Sequence, residues 1–123
     1  MSEETGKRDA LRSKLLGGRK RARKLFQIEG GIEIEIRQPS IGARSKIMQA
    51  AGMSAGSQEV TDLGALQIAA VVQCCFVPGT NERLFDLSDS EALEELPTAD
   101  WFDDVSSAAL DLMNAEPEAV GKP

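Results

Sequence analysis

Few residues in this sequence have types that could do chemistry: the adjacent cysteines Cys74 and Cys75, and five carboxylates crowded together, Asp86, Asp89, Glu91, Glu94 and Glu95. A thiol is a nucleophile or redox partner when its environment lowers its pKa. Cys74 and Cys75 lie inside the apolar stretch 61–77, where burial raises a thiol's pKa and suppresses its reactivity. We read both as reduced packing residues, which suits a reducing compartment better than a disulfide framework. The carboxylates invite a calcium reading, but an EF-hand loop starting at Asp86 wants Gly at its sixth position and Glu at its twelfth. The sequence has Glu91 and Pro97 there, so a solvated helix face is the better reading, as it is for Asp103 and Asp104. Paired carboxylates could serve a glycosidase, but that needs a cleft for which a chain of 123 residues offers little room.

The chain has no His and no Tyr, which removes a His general base, a Ser-His-Asp triad and the common zinc sites. Gly17-Gly18-Arg19-Lys20 and Gly79-Thr80 lack the spaced glycines followed by Lys and Ser/Thr that make a phosphate loop. We therefore expect no catalytic, metal or cofactor residue, and a protein that is not an enzyme. The charged N-terminus and the absence of an apolar run near the ~20 residues of a membrane span argue against secretion and insertion.

What remains is binding. The formal charge of −6 divides sharply: residues 1–24 hold nine Lys/Arg against three acids, and the rest of the chain holds five against seventeen. A basic arm on an acidic body suits a partner-contacting tail, with Arg19, Lys20, Arg21, Arg23 and Lys24 as its candidate residues. Phosphate neutralisation is a second use for such a cluster. It lacks interleaved aromatics for stacking on bases, and the acidic body would repel a duplex, so nucleic acid is not the expected partner. Trp101 and Phe102 with Leu84 and Phe85 are the other candidate contact residues, because aromatics dominate interface energetics. Core burial competes and is favoured, since Trp101 falls on a stripe of helical period and a domain with only four Phe and one Trp needs most of them inside.

The elements that position these residues are legible in the patterning. Residues 1–24 offer only Leu11, Leu15 and Leu16 as anchors before Gly17-Gly18. We expect a mobile arm with at most a helical turn or two. Leu25 to Arg37 alternates apolar and polar residues on both sides of Gly30-Gly31, which predicts a β-hairpin. Phe26, Ile28, Ile32, Ile34 and Ile36 share one face, the glutamates take the other, and helices must cover the apolar one. Ser40 caps a helix running to about Ala51, with Ile41, Ile47, Met48 and Ala51 available for burial, and Gly52 to Ser57 close it. Residues 61–77 are apolar almost all round and read as the central helix. A turn at Pro78-Gly79-Thr80-Asn81 leads to a short extended segment at Leu84, Phe85 and Leu87. Ser88 to Glu91 fits a capping box for a short helix reaching Leu96. From about Thr98 a last helix places Trp101, Val105, Ala108 and Leu112 on one stripe, with Phe102, Ala109 and Met113 beside it and Asp103, Asp104, Ser107 and Asp111 outside. The fold class is α+β: an N-terminal hairpin packed on about four helices. The divisions are an arm over 1–24, one domain over 25–115 and a flexible tail over 116–123.

Three stretches carry a family resemblance: Leu11-Arg12-Ser13-Lys14-Leu15-Leu16, Ile34-Glu35-Ile36-Arg37-Gln38-Pro39-Ser40-Ile41-Gly42-Ala43-Arg44, and the segment from Leu84-Phe85-Asp86 through Ser90-Glu91-Ala92-Leu93 to Leu96-Pro97. Together they resemble the tail assembly chaperones of long-tailed bacteriophages and prophages. In that family a hairpin with a Val/Ile-Arg-x-Pro-Ser step precedes a helix, an apolar helix follows, and a Leu-Phe to Leu-Pro element leads to a last helix. The likeness spans most of residues 11–113 and involves no catalytic motif. It implies a holdase that accompanies the tape-measure protein, keeps it soluble and helps recruit tail-tube subunits in the host cytoplasm, leaving before the virion is complete. Salt-sensitive contacts through arm and body would fit that role. It also implies a longer product made by ribosomal frameshifting, with which Val120-Gly121-Lys122 is compatible. Two rivals stand beside it, a small nucleic-acid-binding or regulatory protein working through the arm and a minor structural protein of the virion tail. Self-association is left open.

Overall fold

In the computed structural model, residues 3–17, 19–53, 61–114 and 118–119 are described. Helix α1 (Glu3–Gly17) is followed by a short strand β1 (Arg19–Lys20), then the hairpin β2 (Arg23–Ile28) and β3 (Ile32–Arg37). Next come α2 (Ile41–Ala50), α3 (Leu63–Cys74), β4 (Cys75–Phe76), a 3-10 turn at Leu87–Asp89, α4 (Ser90–Glu94), α5 (Trp101–Leu112) and β5 (Glu118–Ala119). The fold is α+β, with a three-stranded antiparallel sheet of order β2-β3-β4 covered by helices.

The hairpin forms where the alternation places it. Phe26 faces Ile34 and Ile28 faces Ile32 across the pair, and Gly30 and Gly31 both take positive φ, 86° and 77°, a conformation that only glycine adopts without strain. Ile34 and Ile36 are buried, whereas Ile32, next to the turn, stays 55% exposed. The hairpin starts two residues earlier than expected: Arg23 and Lys24 are strand residues paired with Arg37 and Ile36, and do not belong to the arm.

Ser40 caps α2 as expected, its Oγ accepting from the Ala43 N–H at 3.1 Å. At the other end Gly52 adopts φ 82°. Its N–H donates to Gln49 O and the Met53 N–H to Met48 O, both at 3.0 Å, which is the paired bonding of a Schellman cap. Ile47 and Ala51 are buried, but Ile41, the first residue of α2, is 80% exposed, the buried face of that turn being Ala43. The rest of the expected loop, 54–57, lies outside the described residues.

Helix α3 is the core element, with Ala69 to Cys74 all buried. Its start is fixed by Asp62, whose Oδ1 accepts from the Ala65 N–H at 2.9 Å. The helix ends at Cys74, three residues before the expected limit. Cys75 and Phe76 instead extend and pair with Ile36 and Glu35. A helix prediction from apolar character alone cannot separate a buried helix turn from a buried strand. Here the free edge of β3 supplies hydrogen bonds that redirect the chain.

The hinge from β4 is a tight reversal in which the Val77 N–H donates to Glu82 O (2.9 Å) and the Leu84 N–H to Cys75 O (3.0 Å). The extended segment beyond it is irregular apart from the bridge Phe76–Arg83. The capping box is real but lies two residues earlier than expected. The Asp86 side chain accepts from the Ser88 N–H and the Asp86 N–H donates to Asp89 Oδ2, each at 2.9 Å, because a carboxylate at position 86 competes successfully with the Ser88 hydroxyl. Helix α4 then stops at Glu94 rather than Leu96. In α5 the buried face is Phe102, Val105, Ser106 and Ala109, with Trp101 half-buried at its edge. Ser106 is fully buried and satisfied by donating to Asp103 O at 3.1 Å. The turn before α5 holds Ala99 at φ 59°, fixed by its N–H donating to Asp103 Oδ2 at 2.6 Å.

The arm departs from its expectation in length. Helix α1 runs for 15 residues instead of a turn or two, and Leu11, Leu15 and Leu16 are 59%, 83% and 79% exposed. Of the expected tail over 116–123, only Glu118–Ala119 is described, paired with Lys20 and Arg19.

Candidate interaction surface

Alternation sets the hairpin glutamates on the face opposite the helix-covered one, a face that strand patterning leaves without a cover of its own. Glu35 is instead 3% exposed, because the reversal at Pro78 to Asn81 folds over that face. Its carboxylate is ion-paired with Arg37 and accepts from the Gly79 N–H at 3.3 Å. Arg37 donates onward to Thr80 O and to Asn81 Oδ1 at 3.0 Å, and its guanidinium lies 4.3 Å over the Phe76 ring. Burial pushes the Glu35 carboxyl up, but the Arg37 hydrogen bond, the Gly79 amide and the charges of Arg37 and Arg23 outweigh it and hold the group below its ordinary value. Arg37 is thus a clamp: it ties the reversal to the sheet and so fixes where the segment from Asn81 onward leaves the body.

That segment forms one wall of an open groove of about 730 Å³. Val72 and Gln73, from the buried last turn of α3, lie at its floor, Lys46 of α2 stands on one side, and Arg83 to Ser88 line the other. Leu84 and Leu87 are 39% and 73% exposed. The Asp86 carboxyl is held below its ordinary value by hydrogen bonds from the Ser88 hydroxyl and amide. Phe85 joins the groove to α5: its ring stacks on Trp101 with centroids 6.1 Å apart and planes 14° from parallel. Trp101 in turn meets Phe102 edge-on at 6.0 Å.

The aromatic candidates are therefore brought together, in a gradient. Phe102 is core, Trp101 and Phe85 are half-buried, and Leu84 reaches the surface. The basic candidates are spread out. Lys20 and Arg21 are exposed, Arg19 and Lys20 form β1, and Arg23 and Lys24 lie along β2 with exposed side chains. Arg23 lines a different depression, with Leu25, Glu33 and Pro78. Lys46, Gln73 and Arg83 were not singled out from sequence, and Leu87 only as part of the extended segment. Nothing marks a lone Lys or Gln until α2 and α3 bring them to the same groove, although the apolar-flanked Gln73 was a visible exception within its run.

Both thiols are fully buried and pushed up to about 12, by desolvation in each case with the neighbouring thiol adding to Cys75. Neither is available as a thiolate. Among the described residues no three His, Cys, Asp or Glu side chains gather as metal ligands would, and no helix is long and apolar enough to cross a membrane.

A hairpin extended by a third short strand, covered by helices and bearing an open groove, defines a small α+β domain. Among solved structures, the chain is similar to the bacteriophage HK97 tail assembly chaperone, with a TM-score of 0.54 and 18% identity over 86% of this chain and 99% of that one. The likeness is one of fold. No family model and no curated protein matches the chain.

Proposed function

We propose that this chain is a phage tail assembly chaperone that binds the tape-measure protein, keeps it soluble and helps recruit tail-tube subunits while the tail is built. The observation that carries the reading is the fold likeness to the HK97 chaperone, which takes in 86% of this chain and 99% of that one. The surface is consistent with it. Leu11, Leu15, Leu16 and Leu87 are each more than half exposed, on a helix and a groove wall that a holdase could lay against apolar partner surface. On this reading the protein is not an enzyme, acts in the host cytoplasm and is absent from finished particles. Val120-Gly121-Lys122 lies outside the described residues, and the proposed frameshift there is tested by the nucleotide sequence: codons that break a slippery run sink it.

The direct experiment is co-expression with the tape-measure protein encoded alongside. Rescue of its solubility together with co-purification supports the chaperone reading. A tape-measure protein equally soluble alone and unbound by this chain overturns it, and the basic arm would then be tested on nucleic acid.

A further inference from the structure

Gln73 is the anomaly of the core. It sits in the last turn of α3 among Val71, Val72 and Cys74, is 8% exposed, and its Oε1 is buried without a hydrogen-bond partner among the described residues. An unpaired buried amide oxygen is costly, and a Leu would fill the same volume without that cost. The residue lines the groove, and its Oε1 is covered in the free chain, so an incoming donor reaches it once the amide turns toward the opening. Around it the groove offers apolar contact through Val72, Leu84 and Leu87. Two cations, Lys46 and Arg83, also line it, both exposed. Arg83 is steadied with its guanidinium 5.8 Å over the Phe76 ring. The one carboxylate in the lining, Asp86, stays ionised and is hydrogen-bonded by Ser88. The groove lining thus carries two cations against one anion, in a body whose residues 25–123 carry seventeen acids against five Lys/Arg.

We propose that this groove is the peptide-docking site, and that its occupant is a partner polypeptide segment with apolar side chains flanked by carboxylates. The segment donates an N–H to Gln73 Oε1, seats its apolar side chains against Val72, Leu84 and Leu87, and places its carboxylates by Lys46 and Arg83. Hydrogen bonding at the floor and charge at the sides divide the labour as peptide grooves commonly do, and the buried acceptor supplies discrimination because it penalises any occupant that brings no donor. The inference rests on the chaperone reading only in naming the tape-measure protein as the natural source of that segment.

The test uses the full chain and two short capped peptides, one with a Leu-Leu pair flanked by glutamates and a twin with lysines in their place. Trp101 is the built-in reporter, since its stacking partner Phe85 lines the groove. The glutamate peptide should shift its emission in a saturable way and bind at least about tenfold more tightly than the twin. Gln73→Leu should raise the melting temperature yet weaken the glutamate peptide about tenfold, a combination that a merely structural Gln73 would not give. Lys46→Glu with Arg83→Glu should reverse the preference between the peptides. Equal affinity for the two peptides, no binding of either, or unchanged binding by Gln73→Leu overturns the proposal. If Gln73→Leu retains the tape-measure protein at wild-type strength, the groove is wrong and the chaperone reading stands. If the wild-type chain takes the glutamate peptide but not the tape-measure protein, the groove stands and the chaperone reading falls.

Discussion

Removing the Arg37 clamp should cost several times what a surface substitution does. Arg37→Met keeps most of the apolar stem but leaves the Glu35 carboxylate, 3% exposed, with the Gly79 N–H at 3.3 Å as its remaining hydrogen bond. Breaking a buried pair from one side costs roughly 3–5 kcal/mol. The Arg37 side chain is 12% exposed and that of Glu35 4%, and Arg23 adds a more distant positive charge. We therefore expect the lower end, about 3 kcal/mol, equivalent to a fall of roughly 10–20 °C in melting temperature for a domain of this size. Urea unfolding followed through Trp101 would measure it. Glu35→Met with Arg37→Met should recover at least half of the loss, because the buried charge goes with its partner. The pH dependence has a definite sign. In the wild type the folded Glu35 pKa lies below its unfolded value, so its stabilisation is present above about pH 4.3 and is lost as pH falls through the folded value. In Arg37→Met the Gly79 amide and Arg23 still oppose burial, but burial is the largest influence and prevails once Arg37 is gone, raising that pKa, so acidification relieves the mutant and the gap to wild type narrows. A loss below about 1 kcal/mol at neutral pH, or a gap that does not change down to pH 3, would refute the clamp.

Three further outcomes are expected. Ala99→Gly should stabilise the fold by about 0.5–1 kcal/mol, since a non-glycine residue at φ 59° costs roughly 1–2 kcal/mol and the added freedom of the unfolded chain returns only part of that; thermal melts would read it. Gly52→Ala should destabilise by about 2 kcal/mol or more, because the position has φ 82° and a Cβ there would lie 1.8 Å from Thr61 Oγ1. Cys74 and Cys75 should resist a thiol reagent at pH 8 until urea unfolds the chain. Their folded pKa values of about 12 lie above an unfolded value of roughly 8.5, so stability should be intact below that value and decline as pH rises toward 12.

Which parts of this fold could be read in advance follows from how local their causes are. The hairpin, the Ser40 cap, the Gly52 stop and the amphipathic α5 rest on periodicity or on side chains bonding within a few residues, and the chain carries those signals by itself. The end of α3 and the covered face of Glu35 do not. Cys75 and Phe76 leave the helix because β3 has an edge to pair with, and Glu35 is buried because the reversal at residues 78–81, distant in sequence, closes over it.

The same division runs through the candidate site. Composition alone argued against His-based catalysis and separated a basic arm from an acidic body, because those are properties of residue type and order. Leu84, Phe85, Trp101 and Phe102 could be named in advance as large apolar groups, but their ranking from surface to core could not. Lys46, Gln73 and Arg83 come from three separate stretches, and only the packing of α2 and α3 beside the Arg37-held reversal places them around one groove. A chain determines directly what its neighbouring residues can do to one another. Distant residues acquire a shared environment only when burial, charge and shape are satisfied together, and that is what the tertiary structure decided.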